Sequence, residues 1–109
     1  MRRVPTPPMT IVGRAYGVGE GGKIVARVGG REAKILRGWR YGDAVSGDGD
    51  RFQVGILCPE DERCNDACDG KIVELYLEKD GKLVKKAIEQ FVYRAFAVEF
   101  SDLHFYDVE

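Results

Sequence analysis

The segment Arg31–Asp43, R-E-A-K-I-L-R-G-W-R-Y-G-D, gathers the side chains best able to act on a charged ligand. Arg31, Lys34, Arg37 and Arg40 carry groups that neutralise phosphates. Trp39 and Tyr41 offer aromatic faces on which unpaired bases stack. The same residues also have a purely structural use. Trp39 and Tyr41 can plug the bottom of a small barrel while the basic side chains lay their stems over it and keep their charge in water. The sequence leaves both roles open.

A second group is the cysteine run Cys58-Pro-Glu-Asp-Glu-Arg-Cys64-Asn-Asp-Ala-Cys68. Its spacing lacks the paired C-x2-C knuckles of structural zinc sites, even with His104 as a fourth ligand, so no metal is expected. Nor is a nucleophilic cysteine, because Glu60, Asp61, Glu62, Asp66 and Asp69 surround the thiols and oppose thiolate formation. Disulfides fit better. Three cysteines allow one internal bridge and leave one sulfur over. The expected arrangement is Cys58–Cys68 within the chain and Cys64 across a homodimer, which satisfies all the sulfurs of a symmetric pair.

The remaining chemistry-bearing patterns have ordinary explanations. Gly17-x-Gly19-x-x-Gly22 has dinucleotide-loop spacing, but the following K-I-V-A-R-V is strand-like, so no helix N-terminus is there to receive a pyrophosphate and a flexible turn is expected. Asp48-Gly-Asp50 lacks the ligand spacing of a calcium loop and is expected to be a surface turn. His104 is the single histidine and lies among Leu103, Phe105 and Tyr106, where packing is its expected role. Glu32, Glu74 and Glu99 fall on expected strands that can face a barrel interior, where a buried carboxylate would flag function.

The elements that must position these residues are mostly strands. Residues 1–9, with Pro5, Pro7 and Pro8, are expected to form an extended flexible leader to a single domain over 10–109. Strands are expected at Thr10–Tyr16, Lys23–Val28, Arg31–Arg37, Arg51–Cys58 and Lys71–Glu78, the last turning through Lys79-Asp80-Gly81 into Lys82–Lys85. An acidic loop, with a short helix after Pro59, spans 59–69. Ile88, Phe91, Val92 and Ala95 fall at helical spacing and predict a helix over Lys86–Ala95, followed by a closing strand to Phe100. The fold class expected is mainly β (α+β), a small pseudo-barrel of mostly antiparallel strands with one or two short helices.

Composition sets further bounds. The 109 residues are 44% apolar and 32% charged, enough to build one core and too balanced for a disordered chain. No apolar run reaches the length of a membrane span and no secretory h-region follows the N-terminus, so a cytoplasmic, non-membrane protein is expected. Asn and Gln total three against abundant Glu, Lys and Arg, a bias of hyperthermophile proteins, in which intracellular disulfides also occur. The net charge of −1 conceals a strong asymmetry. Residues 1–40 hold nine basic and two acidic side chains, and residues 41–70 hold two basic and eight acidic. Such segregation serves either a basic binding face or two surfaces that attract one another.

Gly30-Arg-Glu-Ala-Lys-Ile-Leu-Arg37, then Gly42-Asp43 within Tyr41-x-x-x-Val45, together with F-A-V-E-F-S-D-L-H-F-Y-D-V over 96–108, resembles the core and closing segments of ASCH domains in the PUA-like superfamily. The resemblance implies a small β-barrel that binds RNA or a nucleotide, and the composition suits a hyperthermophilic archaeon. Some ASCH proteins are hydrolases of acylated cytidine. Their lysine and threonine positions here hold Glu32 and Ile35, while Arg37 matches the family's arginine; Lys34 lies one residue away, on the opposite strand face. The leading expectation is therefore binding of single-stranded RNA or a nucleotide through Arg31, Lys34, Arg37, Trp39, Arg40 and Tyr41, with no catalytic residue and no cofactor. The alternatives are a nucleoside hydrolase using Glu32, Lys34 and Arg37, and a disulfide-stabilised homo-oligomeric interaction protein.

Overall fold

The computed structural model describes residues 5–38 and 40–108. Trp39, one of the expected stacking residues, lies outside the described residues. The described residues form ten strands: β1 (Met9–Tyr16), β2 (Gly22–Val28), β3 (Arg31–Ala33), β4 (Ile35–Arg37), β5 (Ala44–Val45), β6 (Asp50–Ile56), β7 (Ile72–Lys79), β8 (Lys82–Val92), β9 (Val98–Phe100) and β10 (Leu103–Asp107). Its one helical element among the described residues is a single 3₁₀ turn, Asn65–Cys68, inside the expected acidic loop. None of the described helical structure is long and apolar enough to cross a membrane.

The strands are ordered β3-β2-β7-β8-β10-β1-β6-β4, with β5 on β2 and β9 on β1. The two ends of that order, β3 and β4, are consecutive in the chain and separated only by Lys34. The expected single strand Arg31–Arg37 thus leaves one sheet edge at Ala33, where it pairs with Ala26, and joins the other at Ile35, where it pairs with Ile56. The Leu57 amide donates to the Lys34 carbonyl at the crossing (3.0 Å). The sheet is thereby bent into a nearly closed barrel. It is mixed: most neighbours are antiparallel, but β1 runs parallel to both β9 and β10.

Alternation explains the core. Ile24, Ala26 and Val28 of β2, Phe52, Val54 and Ile56 of β6, and Val73, Leu75 and Leu77 of β7 are all fully or almost fully buried. Burying each of the larger side chains stabilises the fold by about 1.5–3 kcal/mol relative to leaving it exposed. Below this core lies a buried polar knot. Asn65 accepts the Cys58 amide (2.7 Å) and donates to the Thr6 and Glu62 carbonyls (2.7 and 3.1 Å). The Tyr93 hydroxyl donates to the Ile56 carbonyl (2.6 Å). Burial pushes the Tyr93 phenol up from its ordinary value, so it remains a donor.

Three expectations change. The helix expected over Lys86–Ala95 is instead the long strand β8 and the turn beyond it. Ala87 is buried and Glu89 and Phe91 half-buried, while Ile88, Gln90 and Val92 are exposed, a period of two. The helical spacing of Ile88, Phe91 and Val92 arose because this strand carries apolar side chains on both faces. Residues 6–9 of the expected leader are also held by the barrel. Thr6 bridges to Cys64, the Pro7 carbonyl accepts the Phe96 amide (3.3 Å), and Met9 is fully buried at the start of β1. Finally, Glu32 and Glu99 are exposed and Glu74 is half-buried against Lys86, so none of the three points into the barrel as a buried carboxylate.

Cys58 and Cys68 form a disulfide with their Cα atoms 5.6 Å apart, and Cys64 is a free, buried thiol. A cross-chain bridge through Cys64 therefore requires the surrounding loop to open. Among the described residues, the one grouping of metal-ligating types is Cys58, Glu60 and Cys68, whose sulfurs are bonded to each other. The charge asymmetry is partly satisfied within the chain. Arg31 pairs with Glu60 (4.0 Å) and Lys34 with Glu62 (3.5 Å), while Lys71 also holds Glu60.

Candidate functional site

A groove of about 370 Å³ opens on the outer surface of the barrel, lined by Val12, Gly13, Arg14, Tyr41, Arg51, Phe100, Ser101 and Asp102. Its floor is β1. Because Ile11 and Ala15 turn into the core, Val12 and Arg14 turn outward. On one side stands β6, where Phe52 and Val54 are buried and Arg51 is exposed. The antiparallel register sets Arg14 directly opposite Arg51.

The second side is made by β9 and the bend after it. Phe100 pairs with Val12 in parallel register, and the Ser101 amide donates to the Val12 carbonyl (2.9 Å). The chain then bends over Gly13 so closely that a Cβ on that glycine would lie 2.0 Å from the Ser101 carbonyl oxygen. Parallel pairing resumes at Ala15–Leu103. In the gap between the two ladders, the Arg14 amide has no strand partner and donates to the Asp102 carboxylate (3.0 Å). One bend thus brings Phe100, 81% exposed, and Asp102 to the groove.

The electrostatics are predominantly cationic. The Arg14 guanidinium donates to the Gly49 carbonyl (2.9 Å). That of Arg51 donates to the Tyr41 hydroxyl (3.1 Å) and lies 5.7 Å from the centre of the Tyr41 ring. Neither arginine forms an ion pair with a described carboxylate. Tyr41 is half-buried beneath Arg51 on this outer surface, so it does not plug the barrel.

Of the expected binding residues that the structure describes, only Tyr41 lines this groove. Arg37 and Arg40 are exposed on the segment leading to it, with the Arg37 side chain lying across Gly42. Arg31 and Lys34 are drawn toward the acidic loop by the pairs with Glu60 and Glu62. Sequence reasoning missed Arg14, Arg51, Phe100 and Asp102. The available signal was the polar face of the alternating runs Thr10–Tyr16 and Arg51–Cys58, each of which carries an arginine outward.

The set Glu32, Lys34 and Arg37 does not converge. Glu32 and Lys34 line a separate depression of about 560 Å³ with Lys23 and Glu78, and Arg37 is not among its lining residues. His104 lies apart from both grooves, stacked on Tyr16 with ring centres 5.4 Å apart and with Nδ1 2.6 Å from the Glu89 carboxylate. Gly17–Gly22 forms a turn into β2, and Gly17, Gly19 and Gly21 take the positive φ that such a turn uses. Asp50 serves its own turn by accepting the Ser46 amide, and Asp48 reaches across to accept the Val18 amide in the glycine-rich turn.

Fold and groove together define a small mixed β-barrel with a cationic, aromatic-walled surface groove. Comparison with protein-family models, curated proteins and solved structures gives no match for this chain.

Proposed function

We propose that this chain is an RNA- or nucleotide-binding β-barrel module of the PUA-like kind, acting through the groove between Tyr41 and Phe100 rather than by catalysis. The observation that carries this reading is the facing pair Arg14–Arg51 without an ionic partner among the described residues. Like charges directly opposite on neighbouring strands oppose folding, and a bound phosphate turns that repulsion into attraction. Tyr41 and Phe100 flank the pair and supply faces for an unstacked base. Arg37 and Arg40 extend the positive surface along the strand's path, and the ASCH-like segment Gly30–Arg37 that closes the barrel leads directly to them.

The test is fluorescence anisotropy with a labelled short oligouridine across a salt series. Each phosphate neutralised on a single strand contributes about 0.7 to the slope of log K against log salt. Replacing Arg14 and Arg51 by Gln is expected to weaken binding at least tenfold and to flatten that slope by about 0.7, the one phosphate the pair shares. Phe100→Ala is expected to weaken binding while leaving the slope unchanged. An Arg14→Gln, Arg51→Gln variant that binds like the parent overturns the assignment.

A further inference from the structure

We infer that Asp102 makes the groove selective for strands that carry a 2′-hydroxyl, so that it takes ribose in preference to deoxyribose; this rests on the binding role proposed for the groove. The starting point is a carboxylate inside a groove otherwise suited to anions. Asp102 lines a groove whose charge is otherwise set by Arg14 and Arg51. One of its oxygens, Oδ1, accepts the Arg14 amide at 3.0 Å, which fixes the orientation of the group. The Ser101 hydroxyl is directed to the Asp102 main-chain carbonyl and not to the carboxylate (3.1 Å). Oδ2 has no partner among the described residues, and the side chain is exposed.

An ionised carboxylate only accepts hydrogen bonds, so Oδ2 requires a donor from whatever fills the groove. Nucleic-acid phosphates provide none and are repelled by it, which places them toward the arginines. Asp102 follows Phe100 by two residues on the same side of the groove, so the group it meets belongs to the nucleotide whose base stacks on Phe100. The sugar 2′-hydroxyl is a donor present on every ribonucleotide whatever its base, and absent from DNA. A carboxylate beside an aromatic stacking face therefore reads the sugar without reading the sequence.

The experiment compares oligouridine, oligodeoxyuridine and 2′-fluoro-oligouridine of one length on the wild-type chain and on Asp102→Asn. Asn keeps an oxygen for the Arg14 amide but presents an NH₂ donor in place of Oδ2, and its melting temperature reports whether that cap is retained. Wild type is expected to bind the ribose strand about tenfold more tightly than either analogue, the range of a hydrogen bond to a charged acceptor. Asp102→Asn is expected to bring the ratios close to one. Equal wild-type binding of ribose and deoxyribose strands overturns the selectivity while leaving the groove's binding role intact, as does an Asp102→Asn variant that tightens all three strands equally. The fluoro strand keeps this test independent of any mutant's folding. Failure of all three strands to bind wild type overturns the binding role along with the inference.

Discussion

Arg14 and Arg51 occupy directly opposed positions on the antiparallel ladder between β1 and β6, at the register where Ala15 meets Asp50 on one side and Gly13 meets Phe52 on the other. Ala15 and Phe52 turn into the core, so both guanidiniums are held outward on the same surface. Opposed like charges cost a folded sheet about 0.2–1 kcal/mol, and salt screens that cost. The wild-type melting temperature is therefore expected to rise by a few degrees from low to physiological salt. The variant carrying Gln at both positions is expected to show a smaller rise. Differential scanning calorimetry across a salt series measures both, and equal responses contradict a strained pair.

Gly13 is expected to be indispensable for reasons of space. A methyl group there would sit 2.0 Å from the Ser101 carbonyl oxygen and 2.7 Å from its carbon, both backbone atoms that cannot rotate away. Gly13→Ala must displace the 101–102 bend, at a cost of about 1–3 kcal/mol typical of overpacking. Because that bend carries Phe100 and Asp102, the variant is expected to lose oligouridine binding beyond what its stability loss explains. Urea unfolding and anisotropy on the same preparation separate the two effects.

The Cys58–Cys68 bridge closes a short loop around Asn65, which ties the Cys58 amide to the Thr6 and Glu62 carbonyls. For a loop of this length, constraint of the unfolded chain is worth about 3 kcal/mol. Reduction, or Cys58→Ala with Cys68→Ala, is expected to lower the unfolding free energy by about that amount. The groove lies on other elements and should retain its ligand affinity. Denaturation with and without a phosphine reductant, followed by binding at a temperature where both forms are folded, checks this.

Glu89 supplies the pH prediction. Burial alone would raise its carboxyl, but hydrogen bonds from the His104 amide (2.8 Å) and ring overcome this and hold it below the ordinary value of 4.5. A carboxyl whose folded value is depressed contributes its full stability above the unfolded value and loses it as pH falls through the folded one. Stability is thus expected to fall as the solution is acidified below about pH 4.5. Glu89→Gln, which keeps an acceptor for the His104 amide, should flatten that part of the profile. Melting curves on the two proteins at a series of acidic pH values provide the comparison.

Much of the barrel was legible because strand alternation is a local property. Lys23–Val28, Arg51–Cys58 and Lys71–Glu78 each show their buried face through side chains two residues apart, and each became a strand. The turn at Lys79-Asp80-Gly81 was legible for the same reason, with Asp80 and Gly81 both at positive φ. Three cysteines in one short run allowed one internal bridge, expected between Cys58 and Cys68, and the structure joins those two. The helix expected over Lys86–Ala95 failed where locality fails: Ile88 and Val92 remain exposed on the outer face, so counting every apolar residue as core gave a false period.

The amino-acid sequence by itself determined that this is a small, mainly β chain, which residues alternate between core and surface, and where its charge segregates. Only the tertiary structure decided that residues 31–37 split at Lys34 to join two sheet edges, that β1 runs parallel to β9 and β10, and that Arg14, Tyr41, Arg51 and Phe100 share one groove. The reason is physical. Which face a side chain takes follows from its immediate neighbours, whereas register and strand partner follow from close packing against segments far away in the chain. A shift of one residue between β1 and β6 would send Arg14 and Arg51 to different partners, with the composition and charge unchanged.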